Sequence, residues 1–261
     1  MLRALATPNS TFLVQGASRG LGLAFVEHFL QHAHPTARII ATCRNPLKSD
    51  LKLTNLVRDH GEHRCQVLPL DVEHPDTIEA CAESVRQSHQ HVDVLLNVAG
   101  LLHTDTNMPE RKLADIQQEW VLRSMAVNAV GPLLVAKSFA PMMDGKRSLR
   151  GDTLLCNLSA RVGSIGDNGL GGWTSYRMSK AALNMATKNL SIELKRQQTT
   201  VVSMHPGTCA TDLSAPFQRN VAPGKLFEKG DAVEKMTNVL ASLNLENTGT
   251  AYDWAGEIVP W

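Results

Sequence analysis

An excess of either charge sign is missing from this 261-residue chain: 26 lysines and arginines stand against 25 aspartates and glutamates, a formal net charge of +1. Such a balance offers no electrostatic attraction to nucleic acid or to an anionic membrane surface, so neither is expected as a partner. No uninterrupted apolar run approaches the ~20 residues that cross a bilayer. The cysteines Cys43, Cys65, Cys81, Cys156 and Cys209 are odd in number and scattered, with no C-x-x-C pair. They read as reduced thiols rather than a disulfide framework, and the expected location is cytoplasmic. The start, Met1–Ala6, has one arginine and too short an apolar stretch for a secretory signal. No acidic residue precedes Glu27, so import into an organelle stays open as the alternative. A metal site is not expected either. His28 and His32 are four apart and His34 follows, but no Asp, Glu or Cys stands where it would complete a ligand set. Internal repeats and linkers rich in proline, glycine or serine are absent as well.

What remains is an ordinary globular composition, 43% hydrophobic and 20% charged, in a length that suits one α/β domain over 1–261. Short apolar, β-prone segments alternate with helix-length amphipathic ones. The strands are predicted at Thr11–Gln15, Arg38–Thr42, Gln66–Leu70, Val92–Asn97, Thr153–Leu158, Thr200–His205 and Thr250–Tyr252. Between them lie predicted helices over Leu21–His32, Leu47–His60, Pro75–Gln90, Leu113–Met143, Ser175–Arg196 and Asp231–Leu243. This alternation implies a Rossmann-type, doubly wound parallel sheet with helices on both faces. In such a sheet, ligands bind at the carboxyl ends of the strands. The longest irregular stretch, Gly207–Gly230, is expected over that site, since long loops within a compact domain are usually functional. Gly163–Gly172 reads as a mobile pocket rim or as a plain surface loop.

Two motifs carry chemistry. The first strand runs into Gln15-Gly16-Ala17-Ser18-Arg19-Gly20-Leu21-Gly22 and then a helix. A strand, a turn with three glycines and a helix cradle a pyrophosphate on backbone amides: Gly16 permits the tight turn, and the other glycines allow close approach. The spacing is G-x-x-x-G-x-G, not G-x-G-x-x-G. The second motif is Tyr176-Arg177-Met178-Ser179-Lys180. Residues four apart share a helix face, so phenol and ammonium can meet in one pocket. The cation is expected to lower the tyrosine pKa and make the pair a general acid/base acting on an oxygen.

After the second strand an acidic residue would select NAD, and a basic one would accommodate the 2′-phosphate of NADP. Arg44 stands there, and Arg19 adds a second guanidinium from the glycine turn. Paired hydrogen bonds to one phosphate make NADP(H) the preferred cofactor over NAD(H). The alternative for Arg44 is a solvated strand-end charge.

Together these motifs resemble the short-chain dehydrogenase/reductase family, and the resemblance runs along nearly the whole chain. Asn97-Val98-Ala99-Gly100 matches the Asn-Asn-Ala-Gly box with one change. Asn128 matches the helical active-site asparagine, and Asn157-Leu158-Ser159 opens the box of the active-site serine. Pro206-Gly207-Thr208 with Thr211 matches the segment over the nicotinamide. Within the family, Ser159–Ile165, the Trp173-to-Lys180 stretch, His205–Thr208 and Val259-Pro260-Trp261 are similar to the C-factor-like and sniffer-type carbonyl reductase branch.

The resemblance implies a cofactor site of Gly16, Ser18, Arg19, Gly20, Leu21, Gly22, Arg44, Asp71, Val72, Asn97, Ala99, Gly100, Tyr176, Lys180, Pro206, Gly207, Thr208 and Thr211. Asp71 would contact the adenine ring, or else cap the helix that follows. It implies reduction of a ketone, aldehyde or quinone to an alcohol, with Tyr176 as proton donor. Lys180 would hold the nicotinamide ribose, and Asn128 a water joining Lys180 to solvent; otherwise Asn128 satisfies neighbouring backbone. One departure stands out. The family serine falls three places after the box asparagine, where this chain has Ala160. Ser159 is one place early, and successive strand side chains face opposite ways. It is the candidate oxyanion donor or a strand-end hydroxyl bonded to backbone, with Ser164 and Thr174 as other hydroxyls in reach. The loss of one oxyanion donor costs ~10²–10³ in rate. A second function therefore stands beside the first: a low-turnover, cofactor-binding sensor or C-factor-like signalling protein. Trp173 is read as pocket wall or core, and His205 as packed rather than catalytic. By analogy with relatives, a homodimer or homotetramer is expected through the helices bearing Lys180 and spanning Leu113–Met143.

Overall fold

The structure, a computed structural model, describes residues 3–46, 51–89 and 91–261. After a one-turn helix α1 (Arg3–Ala6), the chain alternates β1 (Thr11–Gln15), α2 (Gly20–His32), β2 (Arg38–Cys43), α3 (Leu51–His60), β3 (Cys65–Pro69), α4 (Pro75–His89) and β4 (Val94–Asn97). Next come α5 (Gln118–Met125), α6 (Gly131–Phe139), β5 (Thr153–Leu158), α7 (Thr174–Glu193), β6 (Thr199–His205), β7 (Thr208–Cys209), β8 (Leu226–Phe227), α8 (Lys229–Ser242) and β9 (Thr250–Asp253). Seven strands form one parallel sheet in the order β3-β2-β1-β4-β5-β6-β9. The strand order reverses between β1 and β4, the switch point where doubly wound sheets open a crevice for ligands. All seven predicted strands are present, with ends shifted by at most two residues. Residues 47–50 of the predicted helix Leu47–His60, and Gln90 at the end of another, lie outside the described residues.

Strand side chains alternate between two cores. Phe12 and Val14 of β1 pack with Phe25 and Phe29 of α2 and Met236 and Leu240 of α8. Leu13 faces the other way, with Ile78 and Val85 of α4, Val135 and Phe139 of α6 and Leu190 of α7. The rings of Phe12 and Phe29 lie 4.6 Å apart, tilted at 34°. Covering both faces is what lets parallel strands be apolar throughout.

The predicted helix Leu113–Met143 is interrupted. A 3₁₀ turn covers Leu113–Asp115, and α5 starts only at Gln118. Between α5 and α6, residues Ala126–Val130 widen into a π turn. Such bulges shift the register of a helix face and recur at functional sites; here the bulge contains Asn128. Gly131 follows because a Cβ there would lie 2.5 Å from Val72 Cβ. By length and composition the stretch Gln118–Met142 could cross a membrane. Half of it is buried within this fold, as expected of a core helix.

A polar row crosses the sheet at the carboxyl ends of five strands. Thr42 pairs with Gln15, Gln15 with Asn97, Asn97 with Asn157 and Asn157 with Ser203. All five are buried. Asn97 Nδ2 donates to Asn157 Oδ1 at 2.8 Å, and Asn157 Nδ2 donates to Thr187 of α7 at 2.9 Å. Ser203 Oγ donates to the same Thr187 hydroxyl at 3.0 Å. Buried polar groups hold their stability only when paired, so this row ties α7 to the strand ends in one register.

Candidate active site

The glycine turn lies at the switch point. Gly16 adopts φ +86°, and a Cβ there would come within 2.7 Å of Ala99 N. A Cβ on Gly22 would stand 2.2 Å from Gly16 O. Both positions therefore exclude larger residues, and the turn is pressed against the Ala99-Gly100 segment. Gln15 reinforces that contact by accepting a hydrogen bond from Ala99 N at 3.2 Å. α2 starts with no side-chain cap from Arg19 and no acidic residue in its first turn. Its first amides, with Ser18, Gly20 and Leu21 around them, are set for an anion at a helix N-terminus. Arg44 is exposed just beyond β2, whose Thr42 carbonyl accepts from Gly16 N and Ala17 N. These residues fit a dinucleotide phosphate.

Tyr176 and Lys180 lie in the first turns of α7, both buried. Lys180 Nζ sits 5.8 Å from the centre of the Tyr176 ring and donates to Leu158 O at 2.8 Å. Burial pushes the Tyr176 phenol up from its usual range and brings Lys180 down to about 8. The expected lowering of the tyrosine pKa is thus reversed in the structure. Taking the phenolate out of water costs more than a cation bonded elsewhere returns.

Asn128 is fully buried and clasps the backbone of Leu101. Its Oδ1 accepts from Leu101 N and its Nδ2 donates to Leu101 O, each at 2.7 Å. Nδ2 also donates to Ser179 Oγ at 3.0 Å. The amide therefore does satisfy neighbouring backbone, and only one acceptor position on Oδ1 is left to it. A Cβ on Gly100 would lie 3.6 Å from Asn128 Oδ1 and 3.9 Å from Lys180 Nζ, so asparagine and lysine converge there.

Three other expected residues have their side chains turned to structural work. Ser159 Oγ donates to Asn184 Oδ1 on α7 at 2.7 Å, so its hydroxyl binds a side chain lower on the helix rather than backbone. Asn97 belongs to the polar row and also donates to Pro132 O; its amide positions the strand end that delivers Ala99 and Gly100. Asp71 Oδ1 accepts from Glu73 N at 3.0 Å and its amide donates to Thr77 Oγ1 at 2.9 Å, so its carboxylate closes a turn ahead of α4 rather than capping the helix itself. Val72 beside it is buried against Gly131. Ser164 Oγ accepts from Asp167 N, a local turn bond.

Gly207–Gly230 is less irregular than expected. β7 and β8 pair within it, and a 3₁₀ helix spans Ala215–Asn220. Pro206 leads into Gly207 (φ +75°), which lies on the rings of Phe227 and Trp254. Thr208 is part of β7, and Thr211 brings its methyl to 3.7 Å from a Cβ placed on Gly20. Asp212 pairs with Arg19 at 3.4 Å. The loop thus spans from the end of β6 to the glycine turn at the head of α2. Trp173 is half-buried: its ring lies 4.8 Å from Phe217 of this loop and 6.4 Å from Tyr176. His103 approaches Phe217 at 6.1 Å. His205 is packed, with burial bringing its imidazole down to about 4 and Arg161 adding to that shift.

The sequence reading missed Glu110, Asn184 and the packing of Gly163 against Lys180. Glu110 is buried and accepts from both the amide and the hydroxyl of Ser175 at the start of α7. Its signal was the lack of any capping residue at Trp173, the N-cap of α7. A Cβ on Gly163 would meet Lys180 Cβ at 2.6 Å, so this turn lies flat on the catalytic helix.

Residues 10–222 match the model of the short chain dehydrogenase family. The chain belongs to that family. The C-signal protein of Myxococcus xanthus is 36% identical over 172 residues, 65% of this chain and 93% of the relative. Among solved structures, an NADPH-bound carbonyl reductase from chicken fatty liver has a TM-score of 0.84 and 29% identity, covering 97% of this chain and 99% of that one. The carbonyl reductase Sniffer of D. melanogaster has a TM-score of 0.85 and 26% identity, covering 98% and 100%. The similarity to the C-factor and sniffer branch is thereby met, and the protein is an oxidoreductase by family, with a nicotinamide cofactor.

Proposed function

We propose that the protein is an NADPH-dependent carbonyl reductase acting on a ketone, aldehyde or quinone. The observation that carries this reading is the meeting of Lys180 and Asn128 at Gly100, with the centre of the Tyr176 ring 5.8 Å from Lys180 Nζ, beside the Ala99 backbone against which the phosphate-binding turn is pressed. Arg19 and Arg44 would hold the 2′-phosphate, the α2 amides the pyrophosphate, and Gly100, Lys180 and Gly207 the nicotinamide half. When bound, the reduced nicotinamide supplies a hydride to the carbonyl carbon. Tyr176 donates its phenolic proton to the carbonyl oxygen as charge grows there, completing the alcohol. A phenol kept neutral by burial is in the correct state to do so. Lys180, charged below about pH 8, offsets the phenolate left behind. A water on the remaining acceptor of Asn128 would return the proton from solvent. Trp173 and Phe217 present flat apolar surface to the substrate. Steady-state NADPH oxidation over a panel of carbonyl compounds tests the proposal. Tyr176→Phe should lower turnover at least ~10²-fold with NADPH affinity retained; unchanged turnover would remove the mechanism.

A second reading, a cofactor-binding sensor or signalling protein of low turnover, is favoured by one observation. Ala160 replaces the expected serine, and the hydroxyl next to it is committed to Asn184. Tight NADPH binding without oxidation by any carbonyl would select it. A cytoplasmic location goes with five free, buried cysteines. A homodimer or homotetramer goes with the exposed apolar residues of α5, α6 and α7.

A further inference from the structure

We infer that Glu110 is a positioning residue for Tyr176, a carboxylate supplied from the loop after β4 to cap the catalytic helix. α7 opens on Trp173 in a left-handed conformation, φ 50° and ψ 39°, with no side-chain cap and no acidic residue in its first turn. The first amides of a helix lack partners within it, and a helix usually meets this need with its own Ser, Thr, Asp or Asn. Here the N-cap position is taken by an indole that packs against Phe217. Glu110, 3% exposed, substitutes from 65 residues away in sequence. Its two carboxylate oxygens accept from Ser175 N at 3.3 and 3.2 Å, and Oε1 also accepts from the Ser175 hydroxyl. Its own carbonyl accepts from Trp173 N at 2.6 Å. One residue thus binds three donors at the two positions that flank Thr174 and precede the phenol.

A buried carboxylate is costly unless it is paired and hydrogen-bonded. The positive end of the α7 dipole supplies the compensation. The same loop reaches the rest of the site. Nine residues before Glu110, Leu101 is clasped on both backbone groups by Asn128, and Gly100 precedes it. His103 Nε2 lies 3.3 Å from Asp212 O on the opposite wall. Between Gly100 and Glu110 the loop therefore joins the cofactor crevice, the asparagine and the tyrosine helix. Displacement of Glu110 would turn the first turn of α7 and move the phenol relative to all of them. A misplacement near 1 Å can cost about a hundredfold in rate.

The kinetic arm of the test rests on the carbonyl reductase reading; a second arm does not. Glu110→Gln in the full chain keeps the shape but places an amide donor against Ser175 donors. At saturating NADPH it should lower kcat about ten- to a hundredfold, with the NADPH Kd within about twofold of wild type. Glu110→Asp, which keeps the charge, should recover part of the loss. The chain has two tyrosines, Tyr176 and Tyr252. With ¹³C-labelled tyrosine, the Tyr176 ring resonance should shift or broaden in Glu110→Gln, and the Tyr252 resonance should not. If the Gln variant fails to fold, Ser175→Ala, which removes one donor and leaves the carboxylate, should show the same selective shift to a smaller degree. A lowered melting temperature with unchanged kcat and an unmoved Tyr176 resonance would overturn the inference, leaving Glu110 a stability residue only. If the wild type turns over no carbonyl at all, the reductase reading fails and the tyrosine resonance alone decides the role of Glu110.

Discussion

Lys180 illustrates how one buried side chain links stability to chemistry. Its folded pKa falls from 10.5 to about 8 because burial disfavours the ammonium. Below pH 8 the folded and unfolded chains both hold the proton, and the full cost of burial is carried. Between about 8 and 10.5 the folded protein releases it while the unfolded chain keeps it, so this group's contribution to stability rises with pH. The buried cysteines and Tyr176 shift upward and act in the opposite sense at higher pH. Comparison with Lys180→Met separates the effects. The stability gap between wild type and variant, from urea titrations, should narrow steadily above pH 8; a gap independent of pH would refute the shift. Arg44 makes a sharper point about selectivity. Arg44→Asp should move preference from NADPH towards NADH, read as the ratio of kcat/KM values; no change would assign the 2′-phosphate to other residues. Gly163 is the strictest position. Gly163→Ala must push the backbone of Lys180 by several tenths of an ångström. A loss of roughly 1–3 kcal/mol in stability is expected from such overpacking, together with a fall in turnover, by chemical denaturation and NADPH oxidation.

At the level of elements, the strands were legible because a parallel sheet covered on both faces needs short, uniformly apolar segments. Helix ends were legible to within a few residues. The interruption between α5 and α6 was not, since Ala126–Val130 is as apolar and helix-like as its neighbours. The polar row was visible only as a polar residue near each strand end; register pairs Asn97 with Asn157 and brings both to Thr187. Asn157→Leu should therefore damage the site from a distance. It removes two buried hydrogen bonds, from Asn97 Nδ2 and to Thr187 Oγ1, at about 0.5–1.5 kcal/mol each, while Pro132 O and Ser203 Oγ stay as their remaining partners. A thermal shift far larger than that of an exposed control, such as Gln117→Leu, is the expected result.

Across the whole molecule, the unpartnered apolar faces belong to the helices that carry the site. Met178, Met185 and Ile192 recur every seven residues on α7 and are 48%, 63% and 65% exposed. Leu122 of α5, Val130 at the end of the π turn and Leu133 of α6 are exposed as well. A stripe of this spacing is the face one helix offers another. On the proposed homodimer or homotetramer, Met185→Glu with Ile192→Glu should give monomers in sedimentation equilibrium; retention of the wild-type mass would place the assembly contact elsewhere. The core behaves differently. Phe29→Ala, between Phe12 and Phe25, should cost about 3–5 kcal/mol without altering cofactor preference, by denaturation and kinetic assay.

Sequence by itself determined the family, the parallel sheet, the glycine turn and the Tyr176/Lys180 pair, because each depends on residue type at short, regular spacing. Tertiary structure alone decided which polar groups meet across long separations. It tied Ser159 to Asn184, closed Asn128 on Leu101, seated Glu110 at the head of α7 and raised the phenol that a nearby lysine was expected to lower. Hydrogen bonding and desolvation depend on what lies within a few ångströms, and in this fold those neighbours come from segments 25 to 65 residues apart.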